Sequence, residues 1–253
     1  MRESIYMKFE KQGRIIFAIG CILLSLPLFS GEKEELGKVK ANMDKTWSDS
    51  RLVTSSEDEK VYGVNYYIDT FKQLMKSPQK EEAKKKVGNK RKWIVSKSQG
   101  VGESVYFHTD YHGEENIKVL SDVIDLSFKN YCEVDGKKEE YSRIKSAKLT
   151  FFESSYSMTS NGMVPRLDSD FKKTKEFDVE LGESDEIVSI LPAYAPVGTK
   201  KRGGEGGQVV VVKLTVTGVY PGKKSPLCVQ DFYMGREKGK YTDLVKQVDE
   251  INK

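Results

Sequence analysis

The stretch VTGVYPGKKSPLCVQDFYM, residues 216–234, decides how the chain is read. Tyr220-Pro221-Gly222 has the make-up of a tight turn, because proline presets one backbone angle and glycine admits conformations closed to other residues. A short basic loop follows, and then a run that opens at Cys228. The flanks are rich in the Val, Thr, Tyr and Phe that favour strands. The pattern predicts two late strands joined by a turn, the last starting at Cys228.

The same signature recurs upstream. WIVS (93–96), SVYFHTDYH (104–112), VLSDVIDLSF (119–128), AKLTFF (147–152), FDVEL (177–181) and VVVVKLTVTGV (209–219) are β-branched and aromatic, often alternating, and separated by Gly, Asn, Asp and Pro. Short strands at this spacing predict a mainly β chain folded as an antiparallel β-sandwich over residues 52–238. The continuous Val209–Val212 run suits a central strand. RGGEGG (202–207) precedes a strand instead of following one and opening a helix, so it reads as a flexible loop and not as a phosphate cradle.

Two segments have helical period instead. Tyr67, Ile68, Phe71, Leu74 and Met75 share one face of a predicted helix that extends, with a charged continuation, over 64–87. Leu244, Val245, Val248 and Ile251 share one face of a predicted C-terminal helix over 239–253. Each stripe reads as core packing.

The first residues have the three-part layout of a secretory signal: a basic lead ending at Arg14, an uncharged run over 15–29, and the polar SGEKEE. This predicts a signal peptide over 1–31, a polar tether over 32–51 with a helix near 33–45, and an isolated Trp47 docked on the domain. Ala18-Ile19-Gly20-Cys21 gives a lipoprotein reading as the alternative. The expected location is therefore the periplasm, the outer surface or the exterior. The membrane would be met only through the leader. If Cys21 departs with it, Cys132 and Cys228 remain, free to close a bridge in an oxidising compartment or to sit apart as buried thiols.

The net charge is +4, and setting aside residues 1–14 leaves 38 basic against 36 acidic, a balance of +2. Such a balance predicts no nucleic-acid partner. The basic run KEEAKKKVGNKRK reads as a solvated face. The two histidines, His108 and His112, flank Asp110 at strand spacing and form a conceivable metal set. The competing reading, adopted here, is a polar outer face with Val105, Phe107, Thr109 and Tyr111 turned inward. No serine sits in a nucleophile elbow and no carboxylate pair stands out, so no catalytic residue is nominated. The chain is expected to be a binding module and not an enzyme.

Several segments, taken in order, resemble a known family. RKWIVSKSQGVGESVYF resembles its tryptophan strand and Gly-x-Gly-Glu turn. DLSFKNYCEVDGKKEEYSRIKSAKLTFFE resembles its Asn-Gly-Tyr loop and Asn-x-Arg-x-Lys strand. FDVELGESDEIVSI and LTVTGVYPGKKSPLCVQDFYM resemble its later strands and closing Val-Tyr-Pro-Gly signature. Together, over roughly residues 52–235, they resemble the discoidin-like (coagulation factor 5/8 type C) domain. That domain occurs as the translocation module of a streptococcal NAD-glycohydrolase toxin and in exported spirochaete proteins, including leptospiral ones.

The resemblance implies a galactose-binding-domain-like jelly roll. A Cys132–Cys228 bridge in it would staple a middle loop to the closing strand and contribute about 3–4 kcal/mol. It also implies non-catalytic binding of a glycan or glycosylated surface, with Glu103, Asn130, Tyr131, Arg143 and Lys145 as the candidates carried over. Each of these has a structural reading beside it: Glu103 closing a turn, Tyr131 plugging the sandwich end, Arg143 pairing with a nearby acid. The family's acidic turn before the tryptophan, which serves a cation such as calcium, is VGNKRKW here, so no cofactor is expected. The alternative function is an envelope or surface protein-interaction module on the same fold.

Overall fold

The computed structural model describes residues 31–41, 51–55, 61–64, 68, 91–95, 97–112, 125–134, 137–158, 165–167, 170–184, 186–190, 206–235 and 240–252. The chain divides into two compact units, Met1–Lys38 and Val39–Lys253. A helix, α1, covers 31–41 and carries a one-turn Lys38–Glu34 ion pair. The leader, Trp47 and most of the predicted 64–87 helix lie outside the described residues. Val64 and Ile68 are helical and buried.

The strands of the larger unit, in chain order, begin with β1 (Arg51–Thr54), β2 (Val61–Tyr62), β3 (Lys92–Val95), β4 (Ser104–His112) and β5 (Asp125–Lys129). Then come the small hairpin β6 (Cys132–Val134) and β7 (Lys137–Glu139), the long β8 (Tyr141–Met158), β9 (Pro165–Leu167) and β10 (Lys172–Glu180). β11 (Ile187–Ile190), β12 (Gly206–Tyr220) and β13 (Lys224–Gly235) finish the sheets, and helix α2 (Lys240–Asn252) follows.

These strands form the mainly β sandwich that the alternation predicts. One layer runs β2-β1-β4-β12-β8-β10 and is antiparallel throughout. The facing layer runs β11-β5-β13-β3, also antiparallel. The first residues of β8 run alongside β13 in parallel, Lys224 opposite Tyr141 and Leu227 opposite Ser142, and this contact joins the layers. Val210, Val212, Leu214 and Val216 of β12 face Leu126, Phe128, Leu227 and Val229 of the other layer across one buried core. Val209 and Val211 are buried too, which explains why this stretch of β12 is continuously apolar.

The closing strand occupies the middle of its layer, with β3 on one side and β8 followed by β5 on the other. It starts four residues earlier than the alternation suggests, at Lys224. The basic loop is mostly strand because the turn is tighter than expected. Lys224 N donates to Glu140 O, and a Cβ at Gly222 would stand 2.4 Å from the Glu140 carbonyl oxygen, so only glycine fits.

Leu227 and Val229 point into the core, but the next residue to do so is Phe232, three positions on. A regular strand would send Asp231 inward. Asp231 instead takes a left-handed backbone, φ 60°, at an irregularity between Gln230 and Tyr233. The extra residue resets the side-chain alternation. Phe232 then meets Trp93, Phe107 and Phe128 at centroid distances of 6.2, 5.5 and 5.7 Å. The turned-out Asp231 carboxylate receives Nε and Nη2 of Arg91 at 2.6 and 2.7 Å. Cys228, also turned away from the core, is bonded to Cys132, with the two Cα atoms 5.7 Å apart.

Helix α2 lays Tyr241, Leu244, Val245 and Val248 against Tyr233, Val64 and Ile68 on the outside of the second layer. Its apolar stripe is core packing.

Two outcomes are expected in urea denaturation. Asp231→Asn keeps a residue tolerant of the left-handed backbone but removes the carboxylate charge that faces the buried Arg91 fork, and should cost about 3–5 kcal/mol. Replacing both cysteines with alanine opens a closure spanning 96 positions and should cost about 3–4 kcal/mol.

Candidate functional site

The loops that meet at one end of the sandwich carry most of the residues singled out from sequence, and the structure sorts them into three places. Glu103 sits immediately before β4, where Ser55 Oγ donates to its carboxylate and its own amide donates to Gly100 O. Its carbonyl accepts from Val216 N. The turn before it is fixed, since a Cβ on Gly100, whose φ is 97°, would come within 2.6 Å of Leu227. Glu103 closes a turn.

Asn130 directly follows β5 and is buried. Its Nδ2 donates to Ile144 O and its Oδ1 accepts from Ile144 N, both at 2.8 Å. The amide thus copies a backbone bridge, with the donor and acceptor it needs already matched. Beside it, Tyr131 is partly exposed. Its ring has Lys138 Nζ at 4.9 Å and Lys129 Nζ at 5.9 Å, and its hydroxyl reaches Glu133 at 3.4 Å. Burial raises the Tyr131 phenol above its ordinary range, against the pull of Lys129.

Below Tyr131 lies a buried ionic cluster. Lys129 Nζ is 3.4 Å from Asp231, 3.3 Å from Glu133 and 3.8 Å from Asp249 of α2. Burial alone would lower the Lys129 ammonium, but Asp231, Asp249 and Glu133 outweigh it and hold it above the usual lysine range. Gln230 bridges this cluster to the hairpin by accepting from Glu133 N and donating to Asp231. The Tyr241 hydroxyl, buried under α2, has no hydrogen-bond partner among the described residues. Burial, reinforced by Asp231, drives its phenol far above the ordinary tyrosine range.

Arg143 and Lys145 stand elsewhere, on β8 beside Tyr220 of β12. Arg143 and Tyr220 are directly opposite each other in the ladder. The guanidinium lies 6.0 Å and Lys145 Nζ 5.9 Å from the centre of the Tyr220 ring. The loop between β10 and β11 braces all three: Tyr220 Oη donates to Leu181 O, Arg143 Nη1 to Glu183 O, and Leu181 N to Lys145 O. Tyr220 was legible in the sequence only as a turn residue. Arg143 bonds a backbone carbonyl, not an acidic side chain.

His108, Asp110 and His112 occupy alternate positions of β4, opposite Val211, Val209 and Gly207 of β12. Their side chains lie outside the described ones. Among the described residues no group of three His, Cys, Asp or Glu side chains could hold a metal.

No protein-family model matches the chain, and no curated protein matches it. Among solved structures it is similar to that of TmCBM61 in complex with β-1,4-galactotriose, at 13% identity over 58% of this chain and 69% of that one, with a TM-score of 0.23. An overlap that loose assigns no ligand to this chain.

Lys129 and Tyr241 set a pH limit. Lys129 and Tyr241 both hold their protons more tightly folded than unfolded, so the unfolded chain releases them first. The stability they contribute is whole below about pH 10, the unfolded range of both groups, and falls above it. The urea midpoint should drop between about pH 9.5 and 11.5, and Tyr241→Phe should make that drop shallower.

Proposed function

We propose that this chain is an exported, non-catalytic carbohydrate-binding module of the discoidin-like kind, and that it binds through the Tyr220–Arg143–Lys145 surface. The observation that carries the reading is the brace around that surface. Three hydrogen bonds from one loop hold the ring, the guanidinium and the lysine backbone before any ligand arrives. Carbohydrate recognition needs an apolar ring face for the C–H side of a sugar and fixed polar donors for its hydroxyls. It also needs them preorganised, because each side chain ordered on binding detracts from affinity.

The other candidates support the reading less. Asn130 is fully engaged with Ile144 and Glu103 with its turn. Tyr131 is tied through its hydroxyl to Glu133, and Lys138 stands closer to its ring, at 4.9 Å, than either cation stands to that of Tyr220. The reading of export rests on the basic-apolar-polar leader and on the Cys132–Cys228 bridge, which suits an oxidising compartment. The sequence order of the strand motifs supports the discoidin-like assignment.

A glycan array probed with the purified protein tests this directly. The expected result is binding to a defined group of glycans, lost in Tyr220→Ala and retained in Tyr131→Ala, with both variants unfolding cooperatively. Binding to no glycan, together with stable capture of a protein partner through this face, would replace the reading with a protein-interaction module.

A further inference from the structure

The sandwich end is rich in lysine, yet most of that charge is neutralised locally. Lys138 is paired with Glu186, Lys223 with Glu140, and Lys224 with Glu139. Arg143 and Lys145 differ: neither has a carboxylate within ion-pair reach among the described residues. Arg143 donates through Nη1 to the Glu183 carbonyl. A guanidinium has five N–H donors in a planar fork, so the Nε–Nη2 edge keeps the parallel pair of donors that fits a carboxylate or sulfate bidentately.

Lys145 is exposed and lies two residues along the same strand, about 7 Å away in backbone rise. Both cations are held over one aromatic ring, at 6.0 and 5.9 Å from its centre. Neighbouring Glu180, opposite Ser146 on β10, makes no ion pair with either cation. Two cations thus stand near one ring, the guanidinium held by the Glu183 carbonyl, and neither is paired with a carboxylate among the described residues. Like charges kept close destabilise a fold slightly, and a bound anion would relieve that repulsion.

We infer that the Tyr220–Arg143–Lys145 surface selects sugars bearing a negative group, a uronate carboxylate or a sulfate ester. This rests on the carbohydrate-binding reading and narrows it. The ring of Tyr220 covers the sugar's apolar face, the free edge of Arg143 takes the anionic group in two parallel bonds, and Lys145 supplies a second, adaptable contact. The Glu183 carbonyl holds the guanidinium in the orientation the fork requires.

The test is isothermal titration of the full protein with an oligogalacturonate, its carboxyl-reduced neutral counterpart, and a heparin-derived hexasaccharide, at two salt concentrations. At least one anionic oligosaccharide should bind at least about tenfold more tightly than the neutral one, with affinity falling as salt rises. Lys145→Ala, an exposed change that leaves the fold intact, should weaken that binding several-fold. Arg143→Lys keeps the charge, loses the fork, and should weaken it about tenfold. Equal binding of neutral and anionic sugars, unaffected by these variants, would overturn the inference and leave the carbohydrate-binding reading standing. Binding of none of the three, with no hit on the glycan array, would remove both. Charge-dependent binding to phosphatidylserine-containing vesicles but to no oligosaccharide would overturn both in favour of a lipid headgroup.

Discussion

Asp231 is a carboxylate in the middle of the closing strand, in a backbone conformation that most residues avoid, almost completely removed from water. Each of these features is costly alone, and the Arg91 fork with the nearby Lys129 ammonium is what offsets them. The left-handed turn inserts one residue into the alternation, and that insertion puts Phe232 among Trp93, Phe107 and Phe128. A strand that closed without it would send a charge into the core and a phenylalanine out of it. The strand therefore finishes the sandwich only because an ion pair across 140 positions of sequence holds its irregularity in place.

The same bulge organises what lies outside the core. Cys228, just before it, ties β13 to the β6–β7 hairpin. Gln230 links Asp231 to the backbone of that hairpin, and Lys129 links it to Asp249 of α2. The C-terminal helix thus meets the sandwich over an apolar contact around Tyr233 and over a charged one around Lys129. The opposite face of the turn region is held differently, by the carbonyls of Leu181 and Glu183. These two systems share no residue, so the Tyr220 surface can be altered without loosening the closing strand.

Much of this was legible in the sequence. Strand composition and turn residues announced a β-sandwich with β12 central, and the stretch VQDFYM even carries the sign of its bulge. Val229 and Phe232 are three apart where a regular strand needs two or four. The sequence could not say that Arg91, inside a run that looks like a solvated basic face, would be buried against Asp231. That pairing depends on β3 and β13 being neighbours. Asn130 looked like a loop residue free to meet a ligand, and only the distance to Ile144 reveals that its amide substitutes for backbone. Tyr220 was hidden for the opposite reason. Its place in a Tyr-Pro-Gly turn explains it fully until the ladder sets it opposite Arg143.

The proposed recognition surface is a braced aromatic ring with two cations near it and, among the described residues, no carboxylate paired to either, and the account stands on its being the one the ligand uses. Chemical-shift mapping of isotopically labelled protein during titration with an acidic oligosaccharide tests that most directly. The account predicts perturbations confined to Arg143, Lys145, Tyr220 and the 181–184 loop, with the signals of the Lys129–Asp231 cluster unmoved. Perturbations centred on Tyr131 and the β6–β7 hairpin, or none anywhere on the sandwich, would contradict it.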